Sequence, residues 1–267
     1  MKIKNINLWF WLAIPFLVLN GFFVANLRVY PELQPYADHP AIAIVSSVFV
    51  LVFAAPSFVA LARWLERRGV YALLALGLFA ICIESFAVAT GFPYGRFSYG
   101  VKIGAKMFGL VPWTVMFAWT PILLASYALA RRSVGPKASA HGSAISRFQK
   151  WKIAIATALW TVTFDLVLDA GAVSQGFWNY DLGGAWYNVP FSNFVGWILS
   201  GTIGAFILQY FAQWHARDLP PRNLLGSAWL LMIFWTSVCA FSGLWWAAAI
   251  GIFLLAIILS VCCFSKN

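Results

Sequence analysis

The chain alternates long apolar runs with short polar or aromatic connections. Runs near or above the roughly 20 residues that a membrane-spanning helix needs recur along its whole length. They predict helices at residues 8–26, 41–62, 70–90, 108–130, 151–171, 192–214, 224–241 and 244–264. The last two runs are nearly continuous, and Ser242-Gly243 offers the turn of a tight helical hairpin. The pattern predicts an all-α, polytopic integral membrane bundle of about eight transmembrane helices.

Composition agrees with this pattern. Hydrophobic residues make up 62% of the 267 residues, charged residues only 10%, and the mean hydropathy is +0.81. No stretch resembles a soluble domain, so we expect residues 1–267 to form a single integral membrane domain. The first apolar run is expected to be a retained helix, because it lacks a clear signal-peptide cleavage site.

The net charge of +10 reflects topology. Of the 18 Lys and Arg residues, fourteen fall on the side that carries both termini. This bias predicts that both termini are cytoplasmic and that the protein lies in the cytoplasmic (inner) membrane. No nucleic-acid partner is expected. Residues 131–150, rich in Ser, Ala and Gly, are expected to form a flexible cytoplasmic linker.

Three acidic residues interrupt the predicted spans: Glu84, Asp165 and Asp169. A charged side chain at the centre of a span costs about 2.5–3.5 kcal/mol on insertion scales, so such residues usually face a polar interior. Asp165 and Asp169 are spaced i, i+4 and share one helix face. Glu84 and Asp165 each lie about six residues from the outer end of their span, so we expect them to meet. The alternative is that these acids only join neighbouring helices through hydrogen bonds.

Two outer connections, residues 91–106 and 172–191, are rich in aromatic residues. An aromatic belt at the membrane interface explains part of this composition. A lid over a pocket explains the rest, because backbone outside helices must be covered by protein at membrane depth. The residues expected to line that pocket are Tyr94, Tyr99, Trp113, Trp178, Tyr180, Trp186, Tyr187, Asn193 and Trp197.

Several kinds of chemistry lack their residues. The three histidines, His39, His141 and His215, are far apart in the sequence, so no histidine cluster for a di-iron centre is expected. No GxGxxG motif follows a strand, and no Ser–His–Asp arrangement is recognisable. The sequence therefore predicts chemistry based on carboxyl groups, amides and aromatic faces, with no metal and no cofactor.

One segment carries a family resemblance. It reads Asp165-Leu-Val-Leu-Asp169, then Gly176-Phe-Trp-Asn-Tyr, then Gly184-Ala-Trp-Tyr-Asn-Val-Pro-Phe-Ser-Asn-Phe-Val-Gly-Trp197. With Gly91-Phe-Pro-Tyr-Gly-Arg-Phe and Gly109-Leu-Val-Pro-Trp113, it resembles the bacterial and archaeal membrane family of carotenoid biosynthesis proteins. The family pattern has Pro after the second Asp and Gly at position 188, where this chain has Ala170 and Asn188.

The resemblance implies a carotenoid 1,2-hydratase. Characterised members add water to γ-carotene, lycopene-type or bacterioruberin-precursor ends. A lipid-soluble carotenoid would be the substrate, membrane lipid the surroundings, and a carotenoid glycosyltransferase or another pathway enzyme a possible partner. The family supplies no catalytic residues to carry over, so the expected roles come from chemistry.

Hydration requires an acid, a wall that tolerates a carbocation, and an ordered water. A carboxyl group shielded from water holds its proton more tightly, and two neighbouring acids titrate as a pair. We expect Asp165 to donate the proton and Asp169 to tune it or position water, with Glu84 a second candidate for either role. Aromatic faces would stabilise the cation, and Asn193 would hold the water.

Three other functions use similar residues. Carotenoid ring closure also begins with protonation of an end group. Intramembrane prenyl transfer would use Asp165 and Asp169 as half of a Mg²⁺-diphosphate site, but a second Asp-rich motif is missing. A proton-coupled transporter is the non-enzymatic alternative, although the sequence has no inverted repeat.

Overall fold

The computed structural model describes residues 8–37, 39–134, 146–213 and 218–263. Eight long helices lie in these ranges, close to the predicted positions. They are α1 Leu8–Asn26, α3 Ala41–Leu65, α4 Arg67–Thr90, α5 Val115–Ser133, α6 Arg147–Ser174, α7 Phe191–Phe211, α8 Gly226–Phe241 and α9 Trp245–Cys263, with a short α2 at Gln34–Ala37. By length and composition, six of them can cross a membrane: α3, α4, α6, α7, α9, and α8 with the turn before it. This is the architecture of a multi-pass membrane protein.

Helix α8 forms the centre of the bundle. Every residue from Gly226 to Cys239 is buried, as expected of a helix that is apolar on all sides. Helices α1, α3, α6 and α9 pack around it, and α6 also contacts α5 and α7. The predicted hairpin turn at residues 242–244 joins α8 to α9, with Gly243 at a φ of 75°.

The start of α5 differs from the prediction. Residues 108–114 are not helical, because Phe108 and Gly109 have φ angles of 54° and 71°, outside the range of a right-handed helix. Residues 108–110 form the turn between β2 (Lys106–Met107) and β3 (Val111–Pro112), which pair antiparallel. The prediction of an all-α structure also omitted a second antiparallel pair of strands, which β1 (Phe97–Tyr99) forms with β4 (Trp178–Tyr180).

Helices α4 and α6 end at the side of the bundle where α5 and α7 begin. We call this side the lid end; residues 91–114 and 175–190 cover it. At the opposite end Ser146 caps α6, its side-chain oxygen accepting a hydrogen bond from the Gln149 amide at 3.2 Å. Residues 135–145 of the expected linker lie outside the described residues, as do His141 and His215.

Candidate active site

Helix α6 presents Asp165 and Asp169 on one face, both buried. The Nδ2 atom of Asn193, near the start of α7, donates a hydrogen bond to Oδ2 of Asp165 at 2.8 Å and to Oδ2 of Asp169 at 2.6 Å. One amide therefore holds both carboxyl groups. The i, i+4 spacing puts the two acids one helical turn apart, within reach of a single donor.

Glu84 approaches from α4 and is also buried. Its Oε2 atom accepts a hydrogen bond from the Tyr99 hydroxyl at 2.9 Å. Asp169 has a matching partner, because the Tyr180 hydroxyl donates to its Oδ2 at 3.0 Å. Each of these carboxyl groups is thus paired with a tyrosine from the lid end.

The two tyrosines belong to one structural unit. In the β1–β4 pair, Phe97 lies opposite Tyr180, and Tyr99 lies opposite Trp178. Side chains alternate along a strand, so these four aromatic residues share a face, while Ser98 and its partner on β4 point away and are exposed. The expected lid is therefore a short ribbon whose aromatic face covers the carboxyl groups.

Burial keeps the lid tyrosines in their neutral form. Burial first, and the nearby Glu84 carboxyl second, raise the pKa of Tyr99 well above its usual range. Burial and Asp169 raise the pKa of Tyr180 in the same direction. Both hydroxyls therefore remain hydrogen-bond donors at neutral pH.

A cavity of about 480 Å³ lies beneath the ribbon. Its volume is in the range of small-molecule sites, about 300–1,000 Å³. Most of the residues expected in the pocket line it: Glu84, Tyr94, Tyr99, Asp169, Trp178, Tyr180, Asn193 and Trp197. Glu84 and Asp169, from two different helices, therefore face a shared space with aromatic walls.

Four expected residues lie elsewhere. Asp165 is behind the wall, where it contacts the cavity-lining residues Asn193 and Asp169. Trp113 packs edge-on against Phe117, outside the cavity lining. Trp186 and Tyr187 lie near α9. The Trp186 indole donates to the Leu166 carbonyl at 2.9 Å, and the Tyr187 hydroxyl accepts from the Trp246 amide at 3.1 Å.

A buried polar group beside the cavity includes two residues that sequence reasoning missed. The Tyr94 hydroxyl faces Ser200 of α7 and the indole nitrogen of Trp119 in α5. None of these three polar atoms has a hydrogen-bond partner of normal geometry among the described residues. Glycines on α7 make room for the rings, since a side chain at Gly196 or Gly204 would collide with Tyr94 or Trp119.

Neither missed residue gives a signal in the sequence. Ser and Trp are common in membrane helices, and both are uncharged, so they carry no large cost of burial. Only the spacing of Gly196, Ser200 and Gly204, which puts small residues on one face of α7, hints that bulky partners pack there. The partners themselves cannot be read from that spacing.

A comparison with known protein families gives a match over most of the chain. The family model described as "Carotenoid biosynthesis protein" matches residues 42–258, which include every long helix that borders the cavity except α1. This chain belongs to the carotenoid biosynthesis protein family. The resemblance noted in the sequence is thereby confirmed.

One curated relative is named as a hydratase. The chain described here is similar to a bisanhydrobacterioruberin hydratase from Haloarcula japonica, with 37% identity over 145 residues. The match covers 54% of this chain and 46% of the relative, so the chain spans about half the length of that protein. No solved structure matches the chain.

The structure accounts for one departure from the family pattern. Asn188 has a φ of 67°, in the left-handed region. Glycine adopts this conformation at low cost, and asparagine is one of the few other residues that tolerate it. Asn188 therefore fits the left-handed position in the turn that precedes α7.

Proposed function

We propose that this family member is a carotenoid hydratase that adds water across the terminal 1,2 double bond of an acyclic carotenoid end. One observation carries the proposal: buried carboxyl groups from two helices, Glu84 and Asp169, face one cavity with aromatic walls. The similarity to a named hydratase supports the reaction class. Candidate substrates are the γ-carotene, lycopene and bacterioruberin-precursor types of end group.

The first step is protonation of the double bond. Two carboxyl groups held by one amide in surroundings poor in water do not both ionise readily. In our proposal Asp165 and Asp169 share a proton, and Asp169, which lines the cavity, transfers it to C2 of the end group. A tertiary carbocation forms at C1. Trp197 lines the cavity and stacks on Trp119, with the ring centroids 5.9 Å apart. A desolvated aromatic face stabilises a cation by about 2 kcal/mol.

The second step is capture by water. Buried polar groups are almost always hydrogen-bonded, and a site with two to four polar partners suits an ordered water. We assign the binding of the attacking water to Tyr94, Trp119 and Ser200, beside the cavity. The water oxygen bonds to C1 and its proton passes to Glu84. The net result is a tertiary alcohol, with one proton moved from Asp169 to Glu84 and returned through the cavity.

The number of membrane spans and the orientation of the termini are part of the same proposal. With all eight long helices spanning the membrane, both termini lie on the side opposite the lid end. That side carries most of the basic residues, including Arg67, Arg131 and Lys152, so we place it in the cytoplasm. The carboxyl groups then lie near the outer face of the cytoplasmic membrane.

Expression in hosts that accumulate lycopene, γ-carotene or bisanhydrobacterioruberin tests the reaction. Mass spectrometry of the pigments should show a product heavier by one water. Ring closure would give a product of unchanged mass, and loss of activity with EDTA would indicate a metal-dependent reaction instead. Absence of hydrated product in all three hosts, with folded protein in the membrane, would contradict the proposal.

Substitution of the carboxyl groups tests the mechanism. Asp169→Asn and Glu84→Gln preserve shape but remove the acid and the base, so each should lower hydration by about 10²–10⁴-fold. Asp181→Asn is the matched control, because Asp181 is an exposed acid next to Tyr180 and does not line the cavity. Equal activity in all three variants would remove both carboxyl groups from the mechanism.

A further inference from the structure

The cavity has two parts of different chemistry. The carboxyl groups and the lid tyrosines form its polar part. Helices α1, α3 and α8 form its other part, which is almost entirely apolar. Its side chains include Phe23 and Val24 of α1, Val45 and Phe53 of α3, and Leu231 of α8. The polyene chain attached to an end group at Asp169 would therefore extend into this apolar part of the cavity.

This apolar part reaches the outer surface of the bundle. Phe23 and Val45 both line the cavity, yet they are 47% and 53% exposed. A side chain that borders a cavity and also faces outward marks an opening. Because these two residues lie on α1 and α3, the opening lies between those two helices, on the face turned toward lipid.

Aromatic contacts limit the opening toward the opposite end of the bundle. Phe16 of α1 and Phe49 of α3 stack with ring centroids 6.2 Å apart. Phe49 also lines the cavity and packs near Phe234 of α8, at 6.4 Å. On the lid side, the cavity is bordered by the polar residues Arg28 and His39 of the α1–α3 connection. The opening is thus an apolar window with a polar rim.

Size identifies the occupant. An acyclic carotenoid is roughly as long as the hydrocarbon core of a bilayer is thick, about 30 Å. A cavity of about 480 Å³ is the size of a small-molecule site and does not match a whole molecule of this length. The remainder must lie outside the protein, in surroundings as apolar as the chain itself. A window that faces lipid satisfies this requirement, whereas an exit through the lid would place the polyene among polar headgroups.

We propose that the α1–α3 window, defined by Phe23, Val45 and Phe49, binds the polyene chain of the substrate and is its entrance from the bilayer. This inference rests on the proposed hydratase function and adds the route and the binding surface. The end group enters between the helices and reaches Asp169, while the conjugated chain remains in the window. Lipid, which surrounds the bundle, delivers the substrate directly.

A bulky residue in the window tests the proposal. Val45→Trp should lower carotenoid hydration at least tenfold, because the indole fills the passage. Val48→Trp is the matched control, since Val48 lies on the same helix with a similar exposure of 51% and does not line the cavity. Equal, wild-type hydration in both variants would overturn the window and leave the hydratase function standing. Size-exclusion chromatography and thermal unfolding in detergent verify that each variant folds.

Photo-crosslinking provides a measurement that is independent of turnover. A benzophenone amino acid at position 45 should form an adduct with lycopene in membranes that contain it, and the same group at position 48 should react mainly with lipid. Equal carotenoid labelling at the two positions would overturn the proposal. Selective labelling at position 45 in a protein that makes no hydrated product would instead retain the binding surface and contradict the reaction.

Discussion

The two ends of the bundle each bury charged residues, but they treat them differently. Opposite the lid end, Arg131 is fully buried in α5. Its guanidinium donates to the Tyr127 hydroxyl at 3.1 Å and to the Asp218 carbonyl at 3.0 Å. The neighbouring Arg132 donates to the Pro220 carbonyl at 2.6 Å. These contacts tie the segment before α8 to the end of α5.

The carboxyl groups at the lid end are buried to a similar degree. Unlike Arg131, Glu84 and Asp169 border a cavity. Burial alone therefore does not distinguish a structural charge from a functional one. Access to a cavity does, because it leaves the group able to react with something else.

Removal of a lid tyrosine should have the largest effect of three tests of this contrast. Tyr180→Phe removes the donor to Asp169, and a hydrogen bond to a charged group contributes about 1.5–3 kcal/mol. Hydration should fall about 10- to 100-fold. Tyr187→Phe is the control, since its hydroxyl contacts α9 outside the cavity. Assays on purified protein compare the two variants, and equal losses would show that the tyrosine hydroxyls act only through packing.

A smaller effect is expected at the proposed water site. Ser200→Ala should lower hydration about three- to tenfold, because the water loses one of its partners. In heavy water, the carbocation should then lose a proton more often than it captures water, so unhydrated substrate gains deuterium. Thr202→Ala is the control, as this exposed α7 hydroxyl bonds only to its own helix at Ile198. Unchanged partition in Ser200→Ala, by mass spectrometry, would exclude Ser200 from water binding.

The smallest effect on activity should come from the arginine end. Arg131→Met keeps the length of the side chain but removes the donor to Asp218, at a cost of about 1–3 kcal/mol in stability. Hydration per folded molecule should change less than twofold. Thermal unfolding in detergent measures the first quantity and pigment analysis the second. A large loss of hydration with unchanged stability would assign Arg131 a part in the chemistry.

Much of the fold follows from local properties of the sequence. Span length and hydropathy located the eight long helices to within a few residues, except at α5, where the turn at Phe108 and Gly109 was missed. The free-energy cost of a charge in lipid indicates that Glu84, Asp165 and Asp169 face a polar interior. These signals depend on single segments, so no knowledge of packing was needed.

The remainder depends on contacts between distant segments. No local pattern reveals that residues 97–99 pair with residues 178–180, or that Asp169 faces the cavity while Asp165 lies behind it. The aromatic composition of residues 172–191 predicts one pocket wall, but in the structure the aromatic residues of this segment lie in two different places. Trp178 and Tyr180 cover the cavity, whereas Trp186 packs toward α6 and α9. Side-chain direction in a loop is set by its partners.

The pairing of β1 with β4 also governs when the acidic centre can assemble during synthesis. A nascent chain that ends after α5 contains Glu84 and Tyr99, but it lacks both aspartates and the second strand of the ribbon. Asn193 is added later still, with α7. The acidic centre is therefore incomplete until most of the polypeptide has left the ribosome.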